Sequence, residues 1–268
     1  MQKTEKPERI VKRKKKPLKS SDNKIWLYGI HAVRDALKND KRIKHSLMIT
    51  PNAYKKIEPE ILKSSVTIEI IDPRKFFLPV KQDAVHQGVA LQVNKLEWGS
   101  LSEICTVHNK NKLVLFLDRV SDPQNVGAIL RSAEVFGATA VASPTRYSAP
   151  ETGALAKAAS GALERQPYLR LTNLARAMSN LKKMGYCCIG LDGAAGTDIV
   201  SGIKKVHRTS IALIVGAEGT GIRELTLKNC DYVFRIPSNG EFGSLNVSNA
   251  AALSLFITRN QLTAWNDP

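Results

Sequence analysis

Residues 113–138 read LVLFLDRVSDPQNVGAILRSAEVFGA. The first six form a near-continuous apolar run, the pattern of a strand covered on both faces. Asp122 and Pro123 follow. An Asp can cap the free amides of a helix start, and a Pro fits its first position. Val126, Ile129, Leu130, Ala133 and Phe136 then recur at helical spacing, and Gly137 ends the helix. A buried strand feeding a helix that packs back on it is the unit of a parallel α/β sheet.

The same alternation continues downstream. Short strands are predicted at 139–142, 186–191, 211–215 and 232–236, with helical patterns at about 150–162, 172–184, 222–229 and 246–261. Together they predict an α/β domain with a parallel sheet and helices on both faces. Upstream, Ile30, Val33, Ala36 and Leu37 predict a helix over 30–38, followed by strands at 46–50, 66–71 and 86–93, a smaller α/β unit. The reading is therefore a basic arm over 1–23, a small domain over 24–94, a linker over 95–112 with a short helix near 101–107, and a larger domain over 113–268. The pattern shows no internal repeat.

Charge narrows the partner. Forty Lys and Arg against 24 Asp and Glu give a net charge of +16 over 268 residues. Residues 1–19 hold seven Lys and two Arg against Glu5 and Glu8, a net of +7, so +9 belongs to the rest. A basic body as well as a basic tail points to a polyanion, with nucleic acid ahead of a solubilising tail on an unrelated enzyme. No stretch reaches the roughly 18 apolar residues of a membrane span. The lysine-rich start does not resemble a secretory signal. Cys105, Cys187, Cys188 and Cys230 show no metal-ligand spacing and no disulfide framework, so a cytoplasmic protein without metal is expected.

Three clusters each follow a predicted strand, where open α/β sheets bind ligands. The first holds Asn125, Gly127 and Arg131. Gly127 permits close backbone approach, and Arg131 alone reads as an ordinary solvated helix arginine. The second is GAEGTGI, 216–222, in which three glycines make a tight turn that holds Glu218. It is neither a dinucleotide fingerprint nor a Walker loop. The third is IPSNGEFGSLNVSNAA, 236–251, in which Ser244, Asn246 and Ser248 crowd a helix start that needs one cap.

Together, in this order, the clusters resemble the signature motifs of the SpoU-type RNA ribose 2′-O-methyltransferases of the knotted SPOUT superfamily. The resemblance covers about residues 113–262 and includes the ASGALE segment at 159–164. YGIHAV at 28–33 and HQGVALQV at 86–93 resemble that family's substrate-binding domain and its ribosomal RNA branch, the 23S rRNA guanosine-2′-O-methyltransferases. Gly243 stands where relatives often carry Glu.

The resemblance implies a trefoil knot, which no periodicity reveals. It implies S-adenosyl-L-methionine held by Gly216, Ile236 and Leu245, a homodimer with each site built from both chains, and no metal. Asn125, Arg131, Glu218, Ser244 and Asn246 would form the catalytic group. His31, Arg34 and His86 of the small domain, with Lys14 and Lys15 of the arm, would touch RNA. The expected partner is 23S rRNA or a pre-ribosomal particle. A tRNA ribose methyltransferase of the same superfamily and a non-catalytic ribosome assembly factor are the alternatives. A Rossmann methyltransferase is disfavoured, because SDPQNVG and not a glycine loop follows the first strand of the larger domain.

Overall fold

The computed structural model describes residues 23–77, 84–106, 111–207, 209–239 and 245–264. The first unit contains β1 (Lys24–Tyr28), α1 (Ile30–Lys38), β2 (Lys44–Ile49), α2 (Pro51–Leu62), β3 (Thr67–Ile70) and β4 (Val89–Asn94). Its sheet has the order β1-β4-β2-β3, in which only β2 and β3 run parallel. The short α3 (Leu101–Cys105) follows, closed by a capping box between Ser100 and Glu103.

The second unit runs β5 (Leu113–Asp118), α4 (Pro123–Val135), β6 (Ala140–Pro144), α5 (Gly153–Ala159), β7 (Tyr168–Leu171), α6 (Leu174–Lys183), β8 (Cys187–Leu191), α7 (Ile199–Gly202), β9 (Ile211–Gly216), α8 (Glu224–Lys228), β10 (Tyr232–Phe234) and α9 (Val247–Ala264). Its six strands are all parallel, in the order β10-β8-β9-β5-β6-β7. The residues of β5 sort by alternation. Leu113, Leu115 and Leu117 join the apolar cluster containing α4 and α9, while Val114 and Phe116 join the one containing α3 and α6. The continuous apolar run is thus explained by two covered faces. Asp122 caps α4 through Gln124 N, as its position before Pro123 implied.

Four elements escape the sequence reading: β1, α2, β7 and α7. In α2, Pro51 and Pro59 and a non-helical Ile57 obscure the periodicity, although Thr50 caps the helix conventionally. β3, within the strand expected at 66–71, is exposed along its length at the sheet edge.

The two sheets share one apolar cluster, which runs from Leu27, Val33 and Leu47 to Leu113, Ile129 and Leu155. A buried ion pair network crosses between them. Arg42, 3% exposed, donates to Glu164 Oε1 at 2.6 Å, Glu151 Oε1 at 2.6 Å and the Asn94 carbonyl at 2.7 Å. Burial would lower the Arg42 pKa, but Glu164 and Glu151 more than offset this and raise it. Glu164 belongs to the ASGALE segment, whose Gly161 (φ 93) lies where a side chain would meet the Asp35 carboxylate. That segment joins the two sheets. The stretch around 95–97 is also tied down, with Leu96 N donating to both Glu151 carboxylate oxygens.

After β10 the chain bonds to the loop that follows β8. Arg235 N donates to the Thr197 carbonyl, Ile199 N to the Arg235 carbonyl, and Asp192 N to the Phe234 carbonyl. It then lines one cavity with the turn that follows β9 before returning as α9 against α4.

Candidate functional site

Three loop ends at the carboxyl edge of the parallel sheet enclose a cavity of about 450 Å³. Leu191 and Asp192 come from the end of β8, Gly216 to Gly221 from the turn after β9, and Ile236 and Leu245 from the chain beyond β10. Gly216, Ile236 and Leu245, the three residues singled out for cofactor contact, all line it. Leu191, Asp192 and Val215 also line it and were missed. Only their position at strand ends could have signalled them.

The turn that holds Glu218 depends on its glycines. A side chain on Gly216 would collide with the backbone of Gly221, and Gly219 and Gly221 have φ of 79° and 64°. Gly221 N donates to the Ala217 carbonyl at 2.9 Å and closes the turn. Its far end is held by Asp118, which is fully buried at the end of β5. Asp118 Oδ1 accepts from Arg223 Nε at 2.8 Å and Oδ2 from Arg223 N at 3.1 Å. In the sequence, the signal for Asp118 is a carboxylate that ends an apolar run.

At the rim of the cavity three candidate residues meet. Asn125 Nδ2 donates to Glu218 Oε1 at 3.1 Å. Asn246 Nδ2 donates to Asn125 Oδ1 at 3.0 Å and to Glu218 Oε1 at 2.5 Å. Asn246 also caps α9: its Oδ1 accepts from Ser248 N at 2.9 Å and from Ser248 Oγ at 2.5 Å. One side chain is therefore both helix cap and member of the cluster, because an amide has an acceptor end and a donor end.

Arg131 is not in this triangle. It lies exposed on α4, without a hydrogen bond or ion pair among the described residues, and does not line the cavity. Six helical residues separate it from Asn125, which turns it about 120° away around the axis. Gly127 approaches helix α5: an added side chain would lie 2.7 Å from the Ala158 carbonyl carbon and the Ala159 nitrogen. Ser244, Lys14 and Lys15 lie outside the described residues.

In the small unit, His31 is exposed in the first turn of α1, and Arg34 is half-buried with Nε 3.3 Å from Asp35 Oδ1. His86 has a local structural role. Its Nδ1 accepts from Gly88 N at 3.0 Å, and its ring stacks on Phe76 with centroids 4.4 Å apart. Gln87 caps the start of α1 through Ile30 N.

The cavity, its glycine turn and the Asn–Glu–Asn rim carry the motifs of one enzyme family. Residues 112–256 match the SpoU rRNA Methylase family, and residues 26–99 match the RNA 2′-O ribose methyltransferase substrate-binding family. The chain belongs to the SpoU rRNA methylase family. The 23S rRNA (guanosine-2′-O-)-methyltransferase RlmB of Vibrio vulnificus is 37% identical over 246 residues, covering 89% of this chain and 98% of that protein. The protein of the same name in Pseudomonas syringae is 36% identical, covering 90% and 98%. Among solved structures, the SpoU methyltransferase AviRb from Streptomyces viridochromogenes, in complex with AdoMet, superposes with a TM-score of 0.77. It is 20% identical and covers 91% of this chain and 92% of its own. The AdoMet-bound rRNA methyltransferase from Sinorhizobium meliloti gives a TM-score of 0.71 at 20% identity, covering 90% and 88%. The fold is thus that of the SpoU methyltransferases, a mixed α/β domain with a parallel sheet and a smaller N-terminal unit.

Proposed function

We infer that this chain methylates a ribose 2′-hydroxyl in ribosomal RNA with S-adenosyl-L-methionine as cofactor, and that the nucleotide is a guanosine of 23S rRNA. The relatives of 36–37% identity that span nearly their whole length support the substrate class. The observation that carries the reading is the Asn125–Glu218–Asn246 cluster standing at the mouth of the cavity lined by Gly216, Ile236 and Leu245.

The cavity fits the cofactor. Its volume falls within the range of about 300–1,000 Å³ typical of small-molecule sites. Leu191, Val215, Ile236 and Leu245 supply apolar walls for a flat base, and the 216–221 turn exposes backbone amides and carbonyls. When bound, S-adenosyl-L-methionine supplies an electrophilic methyl group. The protein must then orient a ribose and weaken the hold of its hydroxyl on the proton. Glu218, fixed by two amide donors, accepts hydrogen bonds from a sugar hydroxyl. Asn125 and Asn246 hold that carboxylate in place and present polar atoms to the same sugar. Arg131 clamps the neighbouring phosphate and stabilises negative charge developing on the 2′-oxygen. It does not act as a base, because a guanidinium keeps its proton; the hydroxyl proton passes to the phosphate that Arg131 holds or to water.

Arg131 reaches a sugar in the dimer. It shares its side of α4 with Val135, one turn on, which is 76% exposed. Leu253 and Phe256 form an exposed apolar face on the adjoining α9, and Phe256 touches Phe136 with ring centroids 5.8 Å apart. A second copy covering this face brings its Arg131 toward the first copy's cavity.

The test is methyl transfer from labelled cofactor to 23S rRNA, 16S rRNA and bulk tRNA from cells lacking the enzyme. Label in 23S rRNA mapped to one ribose 2′-oxygen is the expected result. Label confined to tRNA would move the protein to the tRNA branch, and measurable cofactor binding with no acceptor would favour a silent assembly factor.

A further inference from the structure

A second cavity, of about 570 Å³, opens along the same edge of the sheet, at the ends of β5, β6 and β7. Arg119, Arg146, Tyr147, Asn173 and Arg223 are among its walls, and among the described residues no carboxylate lines it. Arg223 is engaged by Asp118. Arg119 and Arg146 are exposed and make no ion pair among the described residues. The Arg119 guanidinium lies 5.2 Å from the centroid of the Tyr147 ring, yet Tyr147 stays 71% exposed.

The backbone under these residues is unusual. Arg119 and Tyr147 have φ of 64° and 59°, in the left-handed region that non-glycine residues adopt only at a cost. Two separate loops adopt it, and the two side chains meet. The loop at 145–149 is braced from beneath. Arg170 donates to the Ala149 carbonyl at 2.8 Å and the Thr145 carbonyl at 3.0 Å. Tyr168 Oη donates to the Ala149 carbonyl at 2.8 Å, and Thr145 N to the Leu171 carbonyl at 2.7 Å. The bracing fixes the base of the loop and leaves Arg146 and Tyr147 at its crest without such bonds. A braced loop that holds an exposed aromatic ring against the Arg119 guanidinium, with the exposed Arg146 next to it in the chain, has the chemistry of single-stranded nucleic-acid binding. The ring offers a stacking face tolerant of any base, and the cations hold phosphates.

We propose that this cleft is a second RNA subsite, which holds a single-stranded nucleotide flanking the methylated one, with Tyr147 as its stacking face and Arg119 and Arg146 as its phosphate clamps. It rests on the reading of function above. β5 and β9 are adjacent strands, about 4.8 Å apart, and one cavity lies on each side of them along the edge. A strand whose target sugar sits at the first cavity therefore crosses the second within a few nucleotides. The Asp118–Arg223 pair stands between the two and fixes their spacing.

The experiment measures binding of a 23S rRNA transcript and of single-stranded oligouridylate to the full chain and to Tyr147→Ala, Tyr147→Phe and Arg119→Ala/Arg146→Ala. Cofactor affinity serves as the check that each variant is folded. Tyr147→Ala is expected to weaken both RNAs about tenfold, whereas Tyr147→Phe, which keeps the ring, restores binding. The double arginine variant is expected to reduce the slope of log affinity against log salt by about 1.4, two phosphate contacts of a single strand. All variants should bind cofactor like the parent. Unchanged RNA affinity and salt slope in the Ala variants, while the parent binds and methylates rRNA, would overturn the subsite and leave the function intact. Equal loss in Tyr147→Phe and Tyr147→Ala would remove stacking and overturn it too. Variants that bind naked RNA normally but fail on ribosomal particles would give the cleft to a protein, again overturning it. If the parent neither binds nor methylates any rRNA, the functional reading fails as well.

Discussion

At the scale of single residues, the rim of the first cavity assigns different tasks to side chains that the motif groups together. Asn125, Glu218 and Asn246 are locked to one another, whereas Arg131 is free. Loss of Arg131 should therefore leave the cavity intact. Arg131→Lys is expected to bind cofactor normally and to slow single-turnover methyl transfer by about 10²–10³, the usual cost of one lost transition-state donor. A lysine keeps the charge but not the planar fork. Turnover near the parent's would show that charge alone is enough. The sequence disclosed the identity of these residues through motif order, and the structure brought three of the four described ones together. It could not disclose that Arg131 stands apart, because motif spacing does not record which way a helix faces. Nor could it disclose Asp118, whose role depends on an arginine 105 residues away.

At the scale of elements, the close backbone approach expected at Gly127 is the packing of α4 on α5. The added methyl of Gly127→Ala faces backbone, which cannot rotate aside. The variant is expected to lose about 1–3 kcal/mol of stability by overpacking, read as a lower urea midpoint at unchanged slope. Cofactor affinity should change little in the part that remains folded. Strands flanked by two packed layers were legible because burial on both faces writes a continuous apolar run. Three of the four elements that were not legible are short or broken: β7 has four residues, α7 has four, and α2 is broken at Ile57. Such elements form because tertiary neighbours cover them, and their own periodicity is too short to show it.

At the scale of the whole molecule, two predictions follow from what is buried and one from what is not. Arg42 joins the two sheets through Glu164 and Glu151, so Arg42→Ala leaves two carboxylates buried without their partner. It is expected to cost about 3–5 kcal/mol, measured by chemical denaturation of the full chain. Burial also raises the thiol pKa values of Cys105 to about 11 and of Cys188 and Cys230 to about 12, from an ordinary value of 9.0. A raised value favours the neutral thiol in the folded state. The three groups therefore stabilise the fold fully below about pH 9, and that contribution is lost as pH climbs toward 11–12. At pH 8 their alkylation in the native protein should be more than about a hundredfold slower than that of a free cysteine. Rapid labelling of Cys105 and Cys188 without unfolding would contradict their burial.

The exposed face made by Val135, Leu253 and Phe256 leads to the sharpest test, because a second copy that covered it would also decide where Arg131 acts. A symmetric dimer places the same patch on both chains, and the native protein should sediment at twice the 29.5 kDa chain mass. Phe256→Glu should yield monomers that bind cofactor but do not transfer methyl groups. Mixing two inactive variants locates the arginine. If Arg131 serves the partner's cavity, a heterodimer of Arg131→Ala with Asn246→Ala has one site with both residues intact and one with neither. Random exchange makes half the dimers mixed, so activity returns to about a quarter of the parent's. If Arg131 serves its own chain's cavity, every site in every dimer carries one defect, and mixing restores nothing. Recovery after subunit exchange would thus explain why the arginine lies exposed and unpaired in a single chain, in a position that only a second copy completes.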